Sequence, residues 1–284
     1  LEPRRDRGAE LGAEGKALQD HLVEIVRAHG MKMLGPNCLG LLDTDPATEH
    51  IVIISKPPAD DVAAKVLARV GRSGKTFTVC FIGGRDVMVP TNATFAPTLS
   101  GAAEAALGKS ISKGAAIADK SSGKQIRGLF AGGTLCAEAQ TICLAAGISV
   151  ASNVAIPGAQ TANAEATATL IDLGDDEYTQ GRPHPMIEPA VRDGVLKAAL
   201  ADAAIGVVIL DCVLGFGGHM DPAGHLAGVV QSINGRHVVI ASVTGTEADP
   251  QRRSSQIAKL RAAGIHVAET NADAVRAALT IVGH

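Results

Sequence analysis

Apolar residues in this chain follow two alternating rhythms. Short runs rich in Val, Ile and Leu at Ile51–Ile54, Thr76–Ile82, Gln125–Phe130, Thr169–Leu173, Gly206–Cys212, His237–Val243 and Ile265–Ala268 read as strands. Their near-continuous hydrophobicity is that of parallel strands covered on both faces. Between them, apolar residues three and four apart predict helices over Ala59–Val70, Pro97–Leu107, Leu135–Ala146, Met186–Ala201, Ala223–Ile233, Pro250–Ala263 and Ala272–Val282. Asp60 and Asp61 lie in the first turn of the first helix, where the dipole favours acids. A short strand near Val150–Ala155 completes the series. Upstream, Lys16–His29 has helical spacing and stops at Gly30, Met31–Leu34 reads as a strand, and the charged stretch Leu1–Gly15 reads as a frayed start.

Strands alternating with helices call for the α/β class, with parallel sheets wound on both faces. Gly108–Lys124 mixes Gly, Ser and Lys with few apolar residues and marks a boundary. The expected units are residues 1–44, a first α/β unit at 45–108, a linker at 109–124 and a second unit at 125–284. In doubly wound sheets ligands bind beyond the carboxyl ends of the strands, where strand order reverses. Flavodoxin-like order would set that point between the first and third strands of the second unit. The turn Gly132-Gly133-Thr134 would then face the loop Gly174–Pro185, with Gly217-Gly218 and Gly245-Thr246 on the same edge.

The loop is the chain's most concentrated chemistry. Asp175, Asp176 and Glu177 are followed by Gly181-Arg182 and then His184 between Pro183 and Pro185. The prolines stiffen the segment and deny it a helix until Pro185. His184 suits a general acid/base or an oxyanion donor, or is a turn histidine. Arg182 suits a bidentate grip on a carboxylate or phosphate, or pairs with the neighbouring acids. The three acids suit a hard cation or a solvated face. Gly132-Gly133-Thr134 before a helix offers backbone N–H groups to an anion, or serves tight packing. His219, Asp221 and His225 have a metal-like composition without a recognised ligand spacing, and no metal site is assigned. Gly215–Asp221 lacks the Gly-Lys-Ser/Thr ending of a P-loop.

Composition narrows the classes. A net charge of −3 without a basic block argues against nucleic acid as a partner. Aromatics make up 2% against 46% hydrophobic residues, so aliphatic side chains must fill the cores and flavin stacking has little to draw on. Five cysteines (38, 80, 136, 143, 212) without a CxxC pair read as buried reduced thiols; Cys136, early in a helix, is a packing residue before it is a nucleophile. No apolar run reaches the ~18 residues a bilayer span needs, so no membrane partner and a cytoplasmic location are expected.

Four segments carry a family resemblance: Arg127–Cys136 (RGLFAGGTLC), Ile171–Glu177 (IDLGDDE), Gly181–Met186 (GRPHPM) and Thr244–Gln251 (TGTEADPQ). In this order they resemble the FdrA family, an offshoot of the acyl-CoA synthetase (succinyl-CoA synthetase-like) superfamily. The resemblance implies two flavodoxin-like domains, the first incomplete. Gly35–Gly40 (GPNCLG) is similar to the turn closing the superfamily's CoA-binding domain, of which residues 1–44 would be a remnant. Only ten residues separate Gly40 from Ile51, where relatives carry a further strand–helix unit. Synthetases of the superfamily phosphorylate a His in a Gly-His-Ala-Gly context after the strand matching Thr76–Ile82; here Gly83–Met88 (GGRDVM) holds no His. A complete nucleotide-coupled ligase is therefore not expected from this chain alone. The resemblance implies a subunit handling acyl or carbamoyl transfer, with oxamate carbamoyltransferase of allantoin breakdown as one such activity. The alternative is a non-catalytic assembly or regulatory subunit. CoA, a phosphorylated substrate and Mg2+ are the cofactors to consider; a small anionic substrate and other subunits or a second copy are the expected partners.

Overall fold

The computed structural model describes residues 48–85, 87–111, 117, 121–233 and 237–284. The elements expected before residue 48, with Cys38 and Asp86, lie outside them. In chain order the elements are β1 (His50–Ser55), α1 (Asp60–Gly71), β2 (Thr76–Phe81), β3 (Ala93–Phe95) and α2 (Leu99–Leu107). Then come β4 (Gln125–Phe130), α3 (Gly133–Ala145), β5 (Val150–Ser152), β6 (Gln160–Thr161), β7 (Ala168–Asp172) and α4 (Asp176–Thr179). A 3-10 turn (Pro189–Arg192) runs into α5 (Asp193–Ala201), followed by β8 (Ile205–Val213), α6 (Pro222–Gln231), β9 (Val238–Thr244), α7 (Arg253–Ala262), β10 (His266–Ala268) and α8 (Asn271–Val282).

The strands form two sheets in which every described pairing is parallel: β1-β2-β3, and β6-β5-β7-β4-β8-β9-β10. The α/β, parallel-sheet expectation is met. Side chains alternate across the larger sheet and build two cores. Ile126, Phe130, Leu170, Val207, Ile209 and Ile240 face α3 and α8. Leu129, Ile171, Val208, Leu210 and Val239 face α5, α6 and α7. The continuous apolar runs are thus strands that serve both faces at once.

Strand order differs from the flavodoxin series in one respect. The first and third strands of this sheet, β4 and β7, are neighbours as expected, but β7 lies between β5 and β4. Asn153, just past β5, donates to Asp172 O and accepts from Asp172 N–H, both at 2.9 Å, and so ties β5 to the end of β7. The carboxyl end of β4 is consequently flanked by those of both β7 and β8.

The helix expected from Met186 begins later. The N–H groups of Ile187 and Glu188 donate to His184 O and close an isolated turn, and Glu188, ahead of a proline, is extended at φ −123°. Pro189 then opens the helical stretch.

The two sheets meet through Glu138 of α3, which is 1% exposed. Its carboxylate accepts from the N–H groups of Leu99 (2.8 Å) and Ser100 (3.3 Å) at the start of α2, and from Asn271 Nδ2 (2.9 Å) at the start of α8. Ala137 and Ile156 pack beside it against Cys80, Ile82, Ala96 and Ala102.

Candidate functional site

Phe130 ends β4, and the chain turns through Ala131 and Gly132 into α3. Asp211 of β8, fully buried, holds this turn: its carboxylate accepts from Ala131 N–H at 2.8 Å and Gly132 N–H at 3.0 Å. Arg192 supports Asp211 in turn, its Nη1 lying 2.8 Å from Oδ1 and 2.9 Å from the Asp211 carbonyl oxygen. The Gly132 amide is therefore occupied from within. The N–H groups of Gly133 and Thr134, in the first turn of α3, have no partner among the described residues.

Asp172 faces this turn from the end of β7. It is 4% exposed, with Oδ1 accepting from Gly174 N–H at 2.9 Å. Oδ2 lies so close to Gly133 that a Cβ there would collide with it, and Lys56 Nζ, from just beyond β1, is 3.3 Å from the same point. Burial raises the Asp172 carboxyl above its ordinary 3.8, Asp175 and Asp211 adding to the effect while Gly174 N–H and Lys56 oppose it. A raised carboxyl binds its proton more tightly folded than unfolded, so its effect on stability turns unfavourable as pH rises from 3.8 through the raised value. Asp172→Asn, which keeps an acceptor for Gly174, is expected to melt above the parent at neutral pH and to match it in acid; equal melting points throughout would contradict this.

His184 reaches the same place. Met186 N–H donates to Nδ1 at 3.2 Å, so the neutral ring carries its proton on Nε2. Nε2 abuts Gly174, where an added Cβ would meet the ring, Ala131 O and Asp172 Oδ1 together. Gly174 is thus required by close approach, and the loop folds His184 back onto the Ala131–Gly133 turn.

The other expected residues are more dispersed. Arg182 is exposed, with its backbone N–H on Thr179 O. Asp175 caps α4 by accepting from Glu177 N–H, and Asp176 and Glu177 form that helix's first turn. No group of three His, Cys, Asp or Glu among the described residues is arranged to hold a metal ion. Gly217 and Gly218 follow β8; Gly218 N–H donates to Gly215 O, and the loop is braced by buried Gln251, which bonds Gly215 at both N and O and His219 at O. It meets the His184 loop where His219 N–H donates to Met186 O at 2.7 Å. Gly245 and Thr246 follow β9, and Asp249 takes both the N–H and the hydroxyl of Thr246. Cys136 is fully buried beside Ser152 and Gln140, and burial pushes its thiol up to about 12. It is a packing residue.

The sequence profile of the CoA-ligase family matches residues 129–281, more than half of the chain. The chain belongs to the CoA-ligase family. The uncharacterised protein YahF of Escherichia coli K12 is 35% identical over 269 aligned positions, covering 85% of this chain and 52% of YahF. The chain thus spans about half the length of that relative. A shorter match, 47% identical over 38 residues, falls in the ADP-forming acetate–CoA ligase I of Archaeoglobus fulgidus, covering 13% of this chain and 6% of that one. Among solved structures, a Pyrococcus horikoshii OT3 protein aligns at TM-score 0.39 and 16% identity, over 96% of this chain and 75% of its own. The dinucleotide-forming acetyl-coenzyme A synthetase 1 of Candidatus Korarchaeum cryptofilum, solved with phosphate and ADP, aligns at TM-score 0.39 and 13% identity over the same shares.

The CoA-ligase match begins at the end of β4 and takes in the Gly133 turn, Asp172, His184, Arg192 and Asp211, but not Lys56. Reading the sequence overlooked Asp172, Asp211, Arg192 and Lys56. Asp172 lay inside the Ile171–Glu177 segment without being singled out, and Asp211 was visible as a single acid in an apolar strand, a costly placement that signals a partner. Arg192 sits in an amphipathic helix pattern, and Lys56 follows a strand of the other sheet; neither carries a local signal.

Proposed function

We propose that this CoA-ligase family chain is part of an FdrA-type enzyme that handles a small acyl or carbamoyl anion at the carboxyl end of β4. The observation that carries this is the pair of unpartnered amides, Gly133 and Thr134, with Lys56 Nζ beside Gly133 and His184 Nε2 against Gly174 at the end of the neighbouring strand. Fixed donors of this kind stabilise an oxyanion as it develops. His184 polarises a carbonyl, and Arg182, on the exposed arm of the same loop, closes on the anionic end of the substrate.

The test is thermal unfolding with carbamoyl phosphate and, separately, with CoA. A ligand at 100 times its dissociation constant stabilises by ~2.7 kcal/mol, a readily measured rise in melting temperature. Carbamoyl phosphate is expected to raise the midpoint, and Arg182→Ala or His184→Ala to abolish the rise while leaving the unliganded midpoint in place. A rise with CoA alone would point to acyl-CoA chemistry. No rise with either would favour an assembly or regulatory subunit. One observation favours that second reading: Phe216, Met220 and Ile187 are 90%, 62% and 56% exposed on the two loops joined by the His219–Met186 bond. Light scattering with candidate partner subunits tests it.

A further inference from the structure

Among the described residues the two sheets have four edge strands, and they are not built alike. β3 and β10 are three residues long and β6 only two, and edges that short offer an incoming chain little to pair with. β1, the fourth, runs six residues in unbroken parallel register with β2. Its sequence, HIVIIS, holds no proline and no Lys, Arg, Asp or Glu, so the usual protections of an edge are missing from it. Two bonds set the direction of its backbone: Thr76 N–H donates to Glu49 O at 3.1 Å, and Ile82 N–H to Ser55 O at 2.9 Å. Odd-numbered residues therefore turn their N–H and C=O groups toward β2, and His50, Val52 and Ile54 turn theirs to the open edge. No strand pairs with them there among the described residues. Both ring nitrogens of His50 lie 2.9 Å from the hydroxyls of Thr76 and Thr78 on β2, which draws the ring over the sheet and away from the edge. Val52 and Ile54, on the same face of the strand, remain 42% and 39% exposed.

We propose that β1 pairs antiparallel with β1 of a second copy of this chain, joining the two smaller sheets into one continuous sheet. A strand is what fits such an edge, because an extended chain presents N–H and C=O groups at the matching spacing. A second copy is the occupant because the edge is complementary to itself. In an antiparallel pair, outward-facing residues must oppose outward-facing residues, so the two-fold axis passes through a residue of β1 and not between two. With the axis at Val52, His50 faces Ile54 of the second copy, Val52 faces Val52, and Ile54 faces His50. This is the one register in which all three outward residues find partners within β1, each exchanging both its N–H and its C=O. The exposed Val52 and Ile54 side chains of both copies then lie in one strip across the axis, with no Lys, Arg, Asp or Glu among them.

The symmetry closes the assembly. Each chain has one such edge and the pairing uses it, so association stops at a dimer, whereas a head-to-tail contact would continue into a filament. A strand pair of this length belongs with the smaller interfaces, below about 1,200 Å² of total buried area, and the dimer is reversible and concentration-dependent. The inference is independent of the substrate reading above, because no residue of the Gly133 turn or the His184 loop takes part. It is also distinct from the apolar loops that carry Ile187, Phe216 and Met220, which lie beyond the strands of the larger sheet.

The experiment is analytical sedimentation of the whole chain over a range of concentrations, followed by disulfide trapping. Wild type is expected to pass from monomer to dimer as concentration rises, with no larger species. Val52→Lys sets two like charges opposite each other at the axis and should weaken the association about tenfold. It should leave the melting temperature of the monomer in place, because the side chain is exposed there. Val52→Cys should link to its own copy under mild oxidation, since hydrogen-bonded neighbours in an antiparallel pair lie about 5.5 Å apart at Cα, within disulfide reach. Ile54→Cys, which faces His50 of the second copy, should not link, and the parent chain with its native cysteines is the control. Phe216→Ser should dimerise as wild type does. A wild type that stays monomeric at every concentration overturns the proposal, as does a dimer that survives Val52→Lys or links through Ile54→Cys in place of Val52→Cys. Loss of the dimer in Phe216→Ser but not in Val52→Lys would move the contact to the loops and overturn it equally.

Discussion

Replacing Asp211 by alanine is expected to cost about 3–5 kcal/mol of folding stability, the range for breaking one side of a buried ion pair. Asp211 is fully buried and its partner Arg192 is 2% exposed. The Arg192 Nη1 bonds to both the carboxylate and the carbonyl of Asp211, while the carboxylate also receives the amides of Ala131 and Gly132. Alanine strands a guanidinium in the core and leaves two backbone donors without partners, each costly by itself. Urea unfolding measures the loss. Asp211→Asn should lose less, because its side-chain oxygen can still accept from the turn. Arg192→Met combined with Asp211→Ala should recover part of the deficit, because no unpaired charge remains; a double-mutant cycle reads this coupling. A loss below ~1 kcal/mol in Asp211→Ala would mean that the pair contributes little. Where enough folded protein remains, the carbamoyl phosphate shift should also vanish, since the carboxylate sets the direction of the turn that presents Gly133 and Thr134.

Replacing Glu138 by alanine is expected to separate the two sheets. Its carboxylate closes the N-terminus of α2 on the smaller sheet and binds Asn271 at the N-terminus of α8 on the larger. Removing it leaves the amides of Leu99 and Ser100 and one donor of Asn271 unsatisfied in a buried place, a cost of about 1–3 kcal/mol per stranded group. Thr98 still caps Gly101 N–H, so α2 itself should survive. The expected result is a calorimetric trace that broadens or splits, with the smaller sheet unfolding first. Glu138→Gln, which can still accept two bonds, should keep a single transition at a slightly lower temperature. An unchanged single transition in Glu138→Ala would show that Ala137 and Ile156 packing is sufficient to couple the sheets.

The candidate site was legible in the chain only unevenly. The turn Gly132–Thr134 and the His184 loop were picked out because glycine before a helix and a histidine between prolines are local signals. Their meeting depended on parallel strands, which bring every strand–helix turn to one edge. The assignment of Gly132 as a free donor did not allow for Asp211, eighty residues along the chain, taking its amide. Asp175–Glu177 read as a hard-cation site or a solvated face, and the structure places them at the cap and first turn of a four-residue helix, α4. The helix expected from Met186 gave way to an isolated turn because His184 uses the Met186 amide and Pro189 restricts the residue before it.

What the sequence determined by itself is the alternation of buried strands and covering helices, and with it a parallel α/β architecture. Periodicity acts within a few residues, and burial on both faces leaves continuous apolar runs as its trace. Strand order, the Arg192–Asp211 support beneath the Gly132 turn, and the meeting of Lys56, Asp172 and His184 were decided only by the tertiary structure. Each joins groups from separate strands and loops, through distances and desolvation that arise when the two sheets close on one another.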